Sequence, residues 1–336
     1  GHYNTAVGSQ ALKILNHSTS TLARNTAVGY NAGTALTTGI YNTIVGSEAG
    51  DAMTDADGNT AIGTLALTTN TLGHGSTAVG NSALQTQNYA TATSAYNTAV
   101  GHSAGFSITT GIFNVCVGGL AGDNMTTGSS NTIVGYNSGG NTITGSNNSI
   151  MGRDAGNDLT SGSNNIFIGH DAGLTGSPGG SITTASNTIV LGDENISACH
   201  IQTDWTVASD QRDKADFTAL DLGLDFVKAL APVTYKWDKR SKYVDKNDVD
   251  LDTIVHDGTH KEDWLDVGFK AQEVEALEAA AGYTILDKTN LTTNLSEDGK
   301  QMGLQYSKFV PILVKAMQEL SAKNDALEAR IATLEG

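Results

Sequence analysis

In the first half of the chain, apolar residues come in short clusters at a fixed interval. The motif Asn-Thr-Ala/Ile-Val/Ile-Gly begins at Asn4, Asn25, Asn42, Asn59, Ser76 (as Ser-Thr-Ala-Val-Gly), Asn97, Asn114, Asn131, Asn148, Asn165 and Asn187, with some drift. Successive starts lie 21, 17, 17, 17, 21, 17, 17, 17, 17 and 22 residues apart. A small residue stands seven places after most starts, from Ala11 and Ala32 to Ser138, Ala155 and Ala172, usually followed by Gly. So many copies at a near-constant period predict a solenoid rather than separate domains. Each unit is too short for two helices, and its Gly, Thr and Asn disfavour helix. Thr-Ile-Val triplets predict short strands, with Asn and Gly in the turns that follow. Neighbouring positions in the triplets are both apolar, so each strand is expected to be buried on two faces. One face packs inside its own coil. The other needs a neighbouring chain, because so thin a coil holds little core. The expectation is a parallel β-solenoid associated side by side, most simply as a trimer.

The pattern then turns helical. Leu220, Leu224, Val227 and Leu230 recur at three- and four-residue steps from Phe217 and stop before Pro232, which a helix interior would not tolerate. Val233 to Trp237 alternates as a strand. Val267 to Ala271 reads as another, followed by a helix through Gln272, Glu273 and Val274. A long helix is predicted from about Ser307. On it Leu313, Met317, Leu320, Asn324, Leu327, Ile331 and Leu334 alternate four- and three-residue steps. This is a heptad seam from about residue 312, with Leu at d and Asn324 at a, where a buried Asn sets register and oligomer state. The alternative is an amphipathic helix packed on its own domain. Two domains are therefore expected: a mainly β repeat region over residues 1–208, and an α+β domain over 209–336.

Composition sharpens this division. The 336 residues carry a net charge of −16. Up to Ala208 the only basic residues are Lys13, Arg24 and Arg153, and 32 of the 39 glycines lie there. From Ser209 onward there are 16 Lys/Arg against 24 Asp/Glu. Neither half can hold a phosphate backbone, so nucleic acid is excluded as a partner. No apolar run approaches the roughly 20 residues of a membrane span, so no membrane insertion is expected. No signal peptide opens the chain, and Gly1 sits three residues before a motif, as if the sequence began inside a longer protein. Cys116 and Cys199 have no metal-ligand spacing and read as buried free thiols, with a disulfide as the alternative.

Candidate chemistry within the repeats is sparse. The extra residues around His17–Ala23, Gln85–Ala95 and Leu174–Thr184 should form surface loops, where binding sites are often grafted. Tyr30, Tyr41, Tyr89, Tyr96, Phe106, Phe113 and Tyr136 could stack on sugars, although filling gaps between chains is the preferred reading. The run from Asp55 to Asn59 mimics the opening of a calcium loop but lacks the distal Glu, and Asp248, Asp250 and Asp252 form a second acidic run. Both read as solvated turns, and neither a metal nor a cofactor is expected. Asp154, Asp158 and Asp171 are the only tempting carboxylates for glycan hydrolysis, which needs a pair at about 5–9.5 Å.

Two resemblances extend this reading. The repeats resemble the head repeats of trimeric autotransporter adhesins, which implies a left-handed trimeric β-roll. In the second half, Ser209-Asp210-x-Arg212-x-Lys214 is followed by Leu230-x-Pro232-Val233-x-Tyr235-x-Trp237, then Gly268-Phe269-x-Ala271-Gln272-Glu273-Val274, then Tyr306 to Leu320. This ordered set is similar to the C-terminal intramolecular chaperone of phage tailspikes and tail fibres, the endosialidase-type or peptidase S74 family. The resemblance implies a domain that forms a homotrimer, guides folding of the fibre before it, and releases itself by cutting just before the serine. Carried over, the scissile bond is Ala208–Ser209, the nucleophile Ser209 and its partner Lys214, with Asp210 and Arg212 as motif support. A Ser hydroxyl needs a base, and a Lys serves when burial favours its neutral form. Ser209 as a helix N-cap beside a solvated Lys214 is the bland alternative. The implied setting is a virion tail fibre assembled in the host cytoplasm, with a host-surface glycan or protein as receptor. A tailspike glycan depolymerase and a non-cleaving trimerisation domain on a structural adhesin are the alternatives.

Overall fold

The structure is a computed structural model that describes residues 2–17, 21–243 and 253–335. The acidic run Asp248, Asp250 and Asp252 lies outside the described residues. Two compact units are present, Gly1–Asn195 and Ile196–Gly336.

The first unit is a parallel β-solenoid. Eleven three-residue strands, from Thr5–Val7 to Ile189–Leu191, stack in sequence order into one parallel sheet. Register follows the motif: Thr26 pairs with Thr43, Ala27 with Ile44 and Val28 with Val45. In every strand but the first, whose three residues are all exposed, only the middle residue is buried, as with Ala27, Ile44, Cys116, Ile133, Ile150 and Phe167. Its neighbours face outward and are partly or fully exposed, among them Ile62, Val100, Met151 and Ile168. Strand residues alternate faces, so a single coil can bury only one side of an all-apolar triplet. The small residues seven places after the starts, Ala32 through Ala172, line the same narrow core.

Asparagine holds the coils together. Asn131 Oδ1 accepts the backbone N–H of Asn148 at 2.9 Å, while its Nδ2 donates across the coil to the Gly145 carbonyl at 2.9 Å. The same pair of bonds recurs at Asn25, Asn42, Asn114 and Asn148. These side chains are fully buried, so each bond lost leaves an unsatisfied polar group costing about 1–3 kcal/mol. Asn131→Ala is therefore expected to destabilise the solenoid by about 2–4 kcal/mol, seen as an earlier thermal transition. An unchanged transition would show the ladder to be dispensable.

Where the motif departs from Asn, at Ser76, the chain compensates. Gln87 is buried and donates to Ser76 Oγ at 3.1 Å, and Asn97 donates to Gln87 Oε1 at 2.9 Å. The insertion Gln85–Ala95 thus supplies core as well as loop. Tyr89 is buried in it, donating its hydroxyl to the Gly111 carbonyl at 2.8 Å, and burial pushes that phenol up to about 12. Tyr89 is neither a sugar platform nor an inter-chain filler. In Leu174–Thr184, Ser177 and Ile182 are likewise buried. The last repeat also differs from its sequence register: Ile166 pairs with Ile189, so Thr188 rather than Asn187 takes the ladder position.

The second unit is α+β. Helix α1 spans Leu224–Ala229, α2 Ala271–Ala280 and α3 Phe309–Glu335. Val233–Tyr235 pairs antiparallel with Asp266–Gly268, and Thr293–Leu295 with Met302–Leu304. Leu222, Phe226, Val274, Phe309 and Ile312 form the core. α1 starts later than its apolar spacing predicts. Gly223 offers no capping side chain, and Glu319 of α3 accepts the Leu224 N–H instead, at 2.8 Å. The fully buried Glu278 ties α2 to the second hairpin, accepting from Thr292 N, Thr292 Oγ1 and Thr293 Oγ1 at 2.6, 2.7 and 2.6 Å.

α3 has two apolar faces. Phe309, Ile312 and Ala316 are buried in its own unit. Leu313, Met317, Leu320, Leu327, Ile331 and Leu334 are exposed, as is Asn324. The heptad residues are therefore not the ones that pack on the domain.

Candidate active site at Ser209 and Lys214

Ser209 opens a short turn whose geometry is set by the next residue. Asp210 is extended (φ −64°, ψ 130°) and caps the single 3-10 turn Gln211–Asp213, its carboxylate accepting the Arg212 N–H at 2.9 Å. The Arg212 guanidinium closes on the same carboxylate, Nη2 donating to Oδ2 at 2.6 Å and Nε to Oδ1 at 3.1 Å. These bonds hold the Asp210 carboxyl below its ordinary range and the Arg212 guanidinium above its own. The turn is completed by Asp213 N–H to the Asp210 carbonyl and Lys214 N–H to that of Gln211, both 3.2 Å. Lys214 then reaches back, and its Nζ donates to Ser209 Oγ at 2.6 Å. Asp210, not Ser209, is the N-cap, so the Ser209 hydroxyl is left to Lys214. Ala208 through Lys214 are exposed in the single chain.

In this state an ammonium donates to a hydroxyl. Once neutral, the same nitrogen can accept the hydroxyl proton and activate the oxygen. A five-residue spacing on one turn thus brings a hydroxyl and an amine within hydrogen-bond distance.

The remaining motifs meet around Gly268 in the second unit, where Trp237 and Tyr306 stay about half exposed. Tyr235 and Trp237 pack edge to face at 5.3 Å, and both reach Asp266 Oδ2, at 3.5 and 3.2 Å. Burial, then the Asp266 charge, raises the Tyr235 phenol. Phe269, Tyr306 and Phe309 stack on one another, and Phe269 N–H donates to Tyr306 Oη at 3.2 Å.

Other sequence candidates resolve into structural roles. Asp57 accepts the Ile40 N–H, and its own N–H donates to His74 Nδ1 at 3.0 Å. Asp55 accepts from Thr38 Oγ1. Both carboxylates of that calcium-like run bridge coils. Cys116 is buried and Cys199 exposed, both as free thiols, so only one of the two expected buried thiols is buried. Burial pushes the Cys116 thiol up to about 12. Asp154 and Asp171 do approach one another, with His170 as the third member rather than Asp158. Arg153 pairs with Asp154 at 2.9 Å, and His170 lies 3.2 and 3.3 Å from Asp171 and Asp193. His170 neighbours Asp171 along the chain, but its approach to Asp154 and Asp193 comes from adjacency across coils, which sequence spacing does not show. Tyr30, Tyr41, Tyr96, Phe113 and Tyr136 are exposed, and Tyr96 stacks on Phe113 at 6.1 Å. Phe106 is half-buried.

Residues 209–283 match the model of the peptidase S74 family, described as chaperone of endosialidase. The match begins at Ser209 and lies C-terminal to the repeat solenoid, while Tyr306 to Leu320 fall beyond it. No curated protein and no solved structure matches the chain. No described helix is long and apolar enough to cross a membrane.

Proposed function

We propose that this chain is part of a phage tail fibre or tailspike-like protein whose C-terminal domain, residues 209–336, associates three chains, sets the register of the solenoid, and cuts itself free at Ala208–Ser209. The observation that carries this reading is the contact of Lys214 Nζ with Ser209 Oγ at the first residue of the family match. In the proposed reaction, neutral Lys214 takes the hydroxyl proton as Oγ bonds to the Ala208 carbonyl carbon. The Ala208–Ser209 C–N bond breaks, and the leaving nitrogen receives the proton. Water then hydrolyses the Ala208 ester, leaving an Ala208 carboxylate and a free Ser209 amine. Each chain reacts once.

Two further observations support association. The outward residues of the solenoid sheet form an apolar stripe along its length, and exposed apolar patches of that extent mark interaction surfaces. The exposed heptad residues of α3 are the seam a coiled coil needs. A virion location follows from the same reading.

Intact mass after expression tests the cut. The wild type is expected as two fragments split at Ala208–Ser209, and Ser209→Ala and Lys214→Ala as whole chains. An intact wild type would leave a non-cleaving trimerisation domain in place of the autoprotease.

A further inference from the structure

Gly140 is buried, and oxygens crowd the space that a side chain would fill there. Apart from its chain neighbours, the three atoms nearest an added Cβ are Asn157 Oδ1 at 2.5 Å, Asn137 Oδ1 at 3.1 Å and Asp123 Oδ1 at 3.2 Å. They come from three consecutive coils, so no linear spacing announces them. The Asn137 amide is oriented by its own bond, Nδ2 donating to Asp154 Oδ1 at 2.8 Å. Asp123 Oδ1 is buried with no hydrogen-bond partner among the described residues. Burial raises this carboxyl above its ordinary range, against the pull of the nearby Asp123 and Asn124 N–H groups.

Asp51 holds the same place in an earlier coil, and there the next coil answers it: Thr68 Oγ1 donates to Asp51 Oδ1. After Asp123 the equivalent residue is Gly140, which brings neither a side-chain donor nor bulk. A buried carboxylate is costly unless it is paired. The solenoid has no cation to spare, because Arg153 is the only Lys or Arg between Arg24 and Ser209 and it pairs with Asp154. We infer that the space beside Gly140 is a calcium site, with Asp123 Oδ1, Asn137 Oδ1 and Asn157 Oδ1 as protein ligands and water completing the shell. One carboxylate and two amide oxygens, without nitrogen or sulfur, are the donors of a hard cation. Calcium accepts irregular shells of 6–8 oxygens at about 2.3–2.6 Å, whereas magnesium demands a near-ideal octahedron. With a single carboxylate, the dissociation constant is expected near about 1 mM. The bound ion ties three coils together and offsets the one carboxylate they leave without a counter-charge.

The chelator-treated full chain tests the site by titration calorimetry and by thermal unfolding followed with circular dichroism. Calcium chloride is expected to bind once per chain. At about ten times the dissociation constant it should raise the solenoid transition by about 3–6 °C, and magnesium chloride by less than half as much. Asp123→Asn keeps the shape and removes the charge. Gly140→Ala, at a position without positive φ, fills the space and displaces Asn157 while keeping every ligand in the sequence. Neither variant should bind calcium or respond to it. In chelator, Asp123→Asn should melt above the wild type, because an uncompensated carboxylate is gone. A wild type that calcium neither binds nor stabilises would overturn the site, as would variants that respond like the wild type. So would an Asp123→Asn transition below that of the wild type in chelator, since the carboxylate would then accept from the Asn157 amide across Gly140 with no ion between them.

Discussion

Gly135→Ala is expected to destabilise the solenoid strongly, as would the same change at the equivalent motif glycines Gly29, Gly63, Gly80 and Gly152, while Gly119→Ala leaves it nearly unchanged. Gly135 adopts φ +138°, a region that L side chains rarely enter. A Cβ placed there would also sit closer than 3.0 Å to the carbonyl oxygen of Gly152 on the next coil. That neighbour is backbone and cannot rotate away. It is held by its own bond, Gly152 N–H to the Val134 carbonyl at 2.9 Å, as Gly135 N–H is held by Val117 at 2.8 Å. Relief requires adjacent coils to separate and ladder bonds to lengthen. Strained backbone costs about 1–3 kcal/mol and overpacking about as much again, so a loss of roughly 3–5 kcal/mol is expected. At Gly119 φ is not positive, and the added methyl would touch only the ring of Tyr136, at 3.6 Å. Thermal unfolding of the pair followed by circular dichroism decides the point. Equal transitions would mean that the motif glycine is not a close-approach position.

That glycine also shows how much of the fold was legible. A motif of Asn, Thr, Ala, Val and Gly at a 17-residue step announces a stack of short parallel strands, and the observed registers follow the motif starts through Asn165. What the motif hides is direction. Thr-Ile-Val reads as buried on both faces, yet in one chain Ile44 is buried and Thr43 is exposed, because a pleated strand gives a thin coil only one inside face. The insertions were harder to read. Gln87 and Tyr89 sit in a polar stretch that looks like a surface loop, and they are buried because Ser76 leaves an opening in the asparagine ladder. No local pattern encodes that, since Ser76 and Gln87 lie eleven residues apart around one coil and meet only when it closes. The site followed the opposite rule. Ser209 and Lys214 were nameable from spacing and resemblance. Their contact depends on Asp210 capping a single turn, a role the spacing alone does not state. The late start of α1 was illegible for a related reason: its cap comes from Glu319, 95 residues away.

Uncleaved and cleaved proteins are expected to differ most after denaturation. Ser209→Ala, which keeps the C-terminal domain, should recover most of its assembled form on removal of denaturant, whereas the cleaved solenoid should recover less than a tenth. The repeats are near-equivalent, so chains slipped by one 17-residue unit still align all but one of the eleven strands. Register is then weakly specified. Parallel association also closes long loops before any inter-chain contact forms, which is slow and leaves apolar strands such as Ile189–Leu191 open to aggregation. A domain that associates first aligns the chains at one end, and the solenoid can zip from there. Under the proposed cut, the folded form freed of that domain would have no productive return path, and its persistence would be kinetic. In hot detergent the uncleaved Ser209→Ala protein should accordingly unfold at least tenfold faster than the cleaved one, because the attached domain, with its short and exposed α3 seam, frays first and opens the adjoining coils. Equal recovery of the two forms would show that the solenoid carries its own register, and equal unfolding rates would show that the cut does not lock the fibre.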